Sequence, residues 1–74
     1  MKRYVFDYRK LDGRIHEMCG SHKKFANLMG ISATTISNKL TNKVYFSQEE
    51  IQRACEILCL KPNYVSEYFF TIRL

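Results

Sequence analysis

The amino-acid sequence predicts a single all-helical domain of five short helices, on three observations. The chain has 74 residues, which is room for one domain spanning residues 1–74. Apolar side chains recur three and four positions apart in successive stretches, which is the period of an amphipathic helix. Serine, glycine or proline stands between these stretches, where helices begin and end. Hydrophobic residues make up 46% of the chain, which favours a folded core over disorder.

The first helix follows a β-prone stretch at residues 3–8, which we expect to form either a short strand or an extended arm. Asp7 is placed to cap this helix, because a short carboxylate side chain accepts hydrogen bonds from the first turn. Gly20 is placed to end it. The residues expected on its buried face are Leu11, Ile15 and either Met18 or Cys19.

The second and third helices are predicted over residues 22–29 and 33–40. Ser21 and Ser32 are good N-caps for them, and Gly30 suits the left-handed backbone of the tight turn between them. The outer positions of the third helix are short, uncharged and able to form hydrogen bonds. The residues expected to be buried are Phe25, Ala26, Leu28 and Met29 in the second helix and Ile36 and Leu40 in the third.

The fourth helix begins at a capping box formed by Ser47 and Glu50 and runs to about residue 58. A fifth short helix is expected near residues 64–69, with Val65 and Phe69 in the core. The last segment, residues 69–74, is apolar and β-prone, although a chain terminus is more often polar and frayed. This tail therefore either closes the core or forms a contact between two copies.

A central stretch without acidic residues carries much of the positive charge. The chain has 12 lysines and arginines against 7 acidic residues, for a net charge of +5. Residues 18–48 contain four lysines and no carboxylate side chain. A surface of this kind suits a polyanion such as nucleic acid, because a carboxylate facing phosphate costs energy. The alternative is an ordinary solvated basic face.

Residues 21–40 resemble a helix-turn-helix. Ala26 is small where two helices must cross closely, and Gly30 follows four positions later at the turn. Ile31 fills the corner, and Ile36 packs the second helix of the motif onto the first. This spacing projects helix 33–40 outward, where its serine, threonine and asparagine side chains can enter a major groove.

The order of all five helices resembles the DNA-binding domain of phage repressor and Cro proteins, the Xre-type family. The stretches that carry the resemblance are residues 11–15, 25–26, 29–32, 36–40 and 46–51. The resemblance implies a lambda-repressor-like fold, here with short β-like arms at both ends. It further implies a Cro-like transcriptional regulator, encoded by a phage or prophage and acting in the bacterial cytoplasm. Such a protein binds operator DNA as a homodimer, at least on DNA, without cofactor or small-molecule substrate.

Positions in this motif predict individual roles. The residues expected at base edges are Ser32, Ala33, Thr34, Thr35 and Asn38. Those expected at phosphates are Ser21, His22, Lys23, Ser37, Lys39, Asn42 and Lys43. Because one such module buries too little surface for tight binding, a dimer contact is expected from the last helix and tail. Its residues are Tyr64, Tyr68, Phe70, Ile72 and Leu74.

The main alternative is a helix-turn-helix module that binds a protein, like an antirepressor or an antitoxin-like subunit. The lack of long base-reading side chains in helix 33–40 motivates it. An enzyme is not expected: Asp12, His16 and Cys19 share the first helix, but no nucleophile, base and orienting group come together. The three cysteines and two histidines match no standard zinc spacing, so no metal site is predicted. No apolar run approaches the roughly 20 residues of a membrane helix.

Overall fold

The computed structural model of the chain describes residues 3–74 and contains five α-helices, which confirms the predicted all-helical class. No helix in this described part is long and apolar enough to cross a membrane. A 3₁₀ turn at Pro62–Tyr64 leads into the last helix. The α-helices are α1 (Arg9–Cys19), α2 (His22–Met29), α3 (Ala33–Leu40), α4 (Gln48–Ile57) and α5 (Val65–Phe69).

The helix ends follow the local signals in the sequence. Gly20 and Gly30 have φ angles of 85° and 79°, in the left-handed region that glycine adopts without strain. The hydroxyls of Ser21 and Ser32 cap α2 and α3 by accepting hydrogen bonds from backbone N–H groups. Ser47 opens α4 with the predicted capping box.

The N-cap of α1 differs from the prediction by one position. Tyr8 is the cap residue, and its side chain makes no capping hydrogen bond. Asp7 still serves the first turn, because its Oδ1 accepts a hydrogen bond from the backbone N–H of Arg9 at 3.0 Å. The Arg9 side chain also binds this carboxylate and holds the pKa of Asp7 at about 2.

The core brings together one buried face from each helix. Its fully buried members are Phe25, Phe69, Leu11, Ile15, Ile36 and Leu58. The prediction that Leu28 is buried was wrong, since 48% of this residue is exposed. On α2 the buried arc is centred between Phe25 and Ala26, and at about 100° per residue Leu28 lies outside that arc.

The two chain ends pair with each other, as short β-like arms. Phe6 and Ile72 form an antiparallel bridge. The N–H of Asp7 donates to the Thr71 carbonyl at 2.7 Å, and the N–H of Arg73 donates to the Val5 carbonyl at 2.8 Å. The tail therefore contributes Phe69 to the core and pairs with the N-terminal arm through residues 71–73, while Leu74 is fully exposed.

Candidate nucleic-acid interface

A three-residue turn, residues 30–32, joins α2 to α3 and fixes how the two helices meet. The N–H of Ile31 donates to the Ala26 carbonyl at 3.0 Å, which closes the end of α2. The Ile31 side chain is half-buried and packs against the core. The fully buried side chain of Ile36 anchors α3 to the core. The opposite face of α3 is left open to solvent.

Small side chains, most of them polar, cover this open face of α3. Ala33, Thr34 and Ser37 are exposed, and Asn38 is half-buried. The side-chain amide of Asn38 has no hydrogen-bond partner among residues 3–74, so its donor and acceptor are free for a ligand. Thr35 lies at the edge of the face, where its Oγ1 is 2.8 Å from the Ser32 Oγ. All five predicted base-contacting residues are thus on or beside one surface.

A groove of about 660 Å³ lies beside this face, between α2 and α3. Lys23 and Lys24 line it, and neither takes part in an ion pair within the described part of the chain. Asn27, one turn after Lys23, lines it as well, although the sequence analysis did not single it out. The four-residue spacing from Lys23 is the sequence signal that would have identified Asn27. The lining residues are Ser21, Lys23, Lys24, Ala26, Asn27, Ile31 and Ala33.

Lys39 does not fit the phosphate role predicted for it. Its side chain is only 9% exposed, and its Nζ lies 2.8 Å from Oε1 of Glu50. The same ammonium donates to the Tyr45 carbonyl at 3.1 Å. Burial opposes ionisation of Glu50, but hydrogen bonds from Lys39 and Ser47 outweigh it and lower the pKa of this carboxyl. Lys39 therefore ties the end of α3 to the start of α4.

Asn42 also has a structural role in place of the predicted phosphate contact. It has a φ of 67°, in the left-handed region, directly after α3. Its side-chain amide forms two hydrogen bonds with the backbone of Phe6: Oδ1 accepts from N–H at 2.8 Å, and Nδ2 donates to the carbonyl at 2.9 Å. Asn42 thus holds the N-terminal arm. Lys43, the next residue, is exposed.

His22, the first residue of α2, is directed away from the groove. Its Nε2 is hydrogen-bonded to Oδ1 of Asp12 on α1. A phosphate contact from Nε2 of His22 would have to break this bond, so the predicted contact would fall to Nδ1. Ser21 is exposed beside the groove, and Ser37 is exposed on α3. Both are accessible, as their predicted phosphate contacts require.

The residues predicted for self-association lie in two places: Phe70, Ile72 and Leu74 are at the paired arms, whereas Tyr64 and Tyr68 lie beside Lys10 and Arg14 of α1. Tyr64, Phe70, Ile72 and Leu74 are exposed, whereas Tyr68 is half-buried. The Phe70 ring packs edge-on against Phe6, at 6.0 Å between ring centroids. Exposed Tyr4 and Val5 on the other arm extend the apolar surface.

Comparison with known proteins gives a family match and a similar solved structure. A family described as "Protein of unknown function (DUF739)" matches residues 4–72. The chain belongs to this family. The chain is also similar to the modulator of repression (MOR) of the temperate bacteriophage TP901-1 from Lactococcus lactis. That solution structure shares 43% sequence identity, with 88% of each chain covered and a TM-score of 0.78. No curated protein matches the chain. The DUF739 chain thus has the fold of a small helical phage regulator.

Proposed function

We propose that this DUF739 protein is a phage transcriptional regulator that binds double-stranded operator DNA with the surface formed by α2 and α3. The observation that carries the proposal is the free amide of Asn38 on a short polar helix face, beside a groove with unpaired lysines. The predicted helix-turn-helix and Xre-type resemblance would give this surface its role. Similarity to a phage modulator of repression supports a regulatory function.

Direct reading of bases would fall mainly to Asn38. An asparagine amide can donate to and accept from the major-groove edge of adenine at the same time. Thr34 lies one turn before it and offers a methyl group that fits against the thymine methyl. Ala33 and Ser37 are small enough for α3 to approach the groove floor. The remaining preference would come from groove shape, because no long side chain reaches further.

Phosphate contacts would come from the rim of this face. Lys23, Lys24 and Lys43 are exposed lysines without ion-pair partners in the described structure, and no acidic residue occurs from 18 to 48. Backbone N–H groups at the start of α2 and α3 add to the attraction for phosphate. Each lysine contact contributes about −0.9 to the slope of log K against log salt concentration. Three such contacts therefore predict a slope of about −2.7 for each bound chain.

Operator binding would use two copies of the chain. A single module covers only about 600–1,000 Å² of its own surface on DNA, which limits affinity. The exposed apolar side chains of the arms, the 3₁₀ turn and α5 would provide a surface for a second copy, and binding to two successive half-sites requires the two α3 helices to be about 34 Å apart. The contacting residues would be Tyr64, Tyr68, Phe70, Ile72 and Leu74.

A second candidate function is binding to another regulatory protein. Leu28 is exposed on α2, where a DNA-binding surface has no need of an apolar side chain. The relative from phage TP901-1 is a modulator of repression, which is a role that contact with a repressor would also serve. Salt separates the candidates, because DNA binding falls steeply with added salt whereas an apolar protein contact does not.

Selection of bound duplexes from random DNA, at about 50 mM and about 200 mM salt, tests the proposal. The expected result is a two-fold symmetric sequence that is enriched at the lower salt and lost at the higher. Asn38→Ala should relax the preference at one base pair of each half-site. Asn63→Ala, an exposed asparagine in the distant 3₁₀ turn, is the matched control and should leave the selected sequence unchanged. Absence of enrichment from folded protein would favour the protein-binding candidate.

A further inference from the structure

Three side chains with metal-ligating atoms meet where α1 packs against the start of α2. Asp12 and His16 are one turn apart on α1, and His22 approaches them from α2. One ligand atom from each of the three lies within 4.8 Å of the other two. The two imidazole rings have centroids 5.0 Å apart. The sequence analysis missed this cluster because Asp12 and His22 are ten positions apart and come from different helices.

The composition and spacing of the cluster suit a transition-metal ion. Imidazole nitrogen with one carboxylate oxygen is a donor set that favours Zn²⁺, Cu²⁺ or Ni²⁺ over Mg²⁺ or Ca²⁺. In a tetrahedral zinc site, bonds of about 2.0–2.1 Å place neighbouring ligand atoms roughly 3.3 Å apart. Nδ1 of His16 lies 3.5 Å from Oδ1 of Asp12, close to that separation. His22 would move slightly away from the carboxylate as an ion entered between them.

His16 distinguishes this cluster from an ordinary hydrogen-bonded pair. Asp12 and His22 satisfy each other, and that pair alone needs no third group. Nδ1 of His16 also lies 3.0 Å from the backbone carbonyl of Asp12. Binding an ion through this nitrogen would give up that contact and place the ring proton on Nε2, which is the tautomer that leaves Nδ1 free as a ligand. The side chains of all three residues are partly exposed, so an ion and a water ligand can enter.

We propose that Asp12, His16 and His22 form a binding site for a divalent transition-metal ion of the Zn²⁺ class. Three protein ligands would leave one coordination position for water. The ion would join α1 to the first residue of α2, so binding would stabilise the folded chain. The inference does not depend on DNA binding, and its test uses metal affinity and thermal stability alone.

Zn²⁺ titration by calorimetry, with thermal unfolding in parallel, tests the site. Every protein carries Cys59→Ser, because Cys59 is an exposed thiol that could itself bind zinc. The expected result is one Zn²⁺ per chain with a raised Tm, and no effect of Mg²⁺. His16→Ala should weaken zinc binding at least about tenfold while leaving the Asp12–His22 pair in place. His22→Ala should weaken it similarly.

Glu17→Gln is the matched control, because Glu17 belongs to the same helix but pairs with Arg14 outside the cluster. This variant should bind Zn²⁺ like its parent. The Co²⁺ complex should show visible d–d bands without thiolate charge transfer, since no cysteine is a ligand. The proposal is overturned if Zn²⁺ does not bind, if His16→Ala binds as tightly as its parent, or if the Co²⁺ spectrum reports thiolate ligation.

Discussion

Replacing Lys39 with methionine tests the structural role assigned to a lysine that the sequence analysis expected at phosphate. The substitution removes the ammonium that lies 2.8 Å from Glu50 and donates to the Tyr45 carbonyl. Methionine keeps most of the length and apolar character of the lysine stem, so the packing beside Phe46 is largely retained. The loss of unfolding free energy therefore measures mainly the two polar contacts of Lys39.

The expected loss is about 2 kcal/mol of unfolding free energy. A hydrogen bond to a charged group contributes about 1.5–3 kcal/mol, and removing one partner leaves the other partly unpaired. The Glu50 side chain is 24% exposed and keeps the Ser47 N–H, so water and the capping box limit the cost. A chain of this size has a total unfolding free energy of about 4–11 kcal/mol. Tm should therefore fall by about 8–16 °C.

Urea unfolding of a double-mutant cycle measures the effect. Lys39→Met, Glu50→Gln and the double variant are compared, and glutamine at position 50 preserves the capping box. The double variant should be more stable than the sum of the single losses implies, by at least about 1 kcal/mol. DNA affinity of folded Lys39→Met should change less than that of Lys23→Ala. The structural role of Lys39 would be refuted if Lys39→Met left the unfolding free energy unchanged. It would also be refuted if Lys39→Met weakened DNA binding as much as Lys23→Ala.

Four further predictions concern single positions. Asn38→Ala should cost about 1–3 kcal/mol on the best operator, measured by fluorescence anisotropy, and equal loss on all sequences would exclude base reading. Lys23→Ala should reduce the magnitude of the salt slope by about 0.9 for each bound chain, which is about 1.8 for a dimer, whereas Lys61→Ala should leave it unchanged. Asn42→Ala should destabilise the fold by about 1–3 kcal/mol and speed hydrogen exchange in the N-terminal arm; unchanged exchange would show that the arm does not need this amide. The lowered pKa of Glu50 implies stability that is present above about pH 4.5 and lost as pH falls through the folded pKa, so Glu50→Gln should lose less stability between about pH 5 and pH 3.

The helix boundaries could be predicted because their signals are local. Ser21, Gly30 and Ser32 act on backbone groups within four residues of themselves, so the sequence alone contains the whole interaction. The same holds for the capping box at Ser47. The core could be predicted nearly as well, since helical spacing identifies the apolar face. Leu28 was predicted to be buried but is exposed, because apolar spacing does not show where the centre of a buried arc lies. The buried side chains of Tyr8 and Phe46 were not predicted, because both residues lie outside the helices.

The roles of individual polar residues depended on contacts between distant parts of the chain. Lys39 is buried because Glu50 and the Tyr45 carbonyl meet it in the fold, and nothing in the polar sequence of α3 indicates this. Asn42 binds the backbone of a residue 36 positions away. The pattern of polar residues thus predicted which face of α3 is exposed. The role of each polar side chain, in contrast, required the tertiary structure.

Titration of ¹⁵N-labelled protein with a selected operator duplex, followed by backbone amide NMR, tests the central proposal most directly. The expected shift changes are concentrated at Lys23, Lys24 and Asn27, along residues 33–38, and at Lys43, and they should be lost at high salt. The side-chain amide of Asn38 should shift as well. Shift changes confined to the arms and α5, or none from folded protein at low salt, would contradict DNA binding by the α2 and α3 surface.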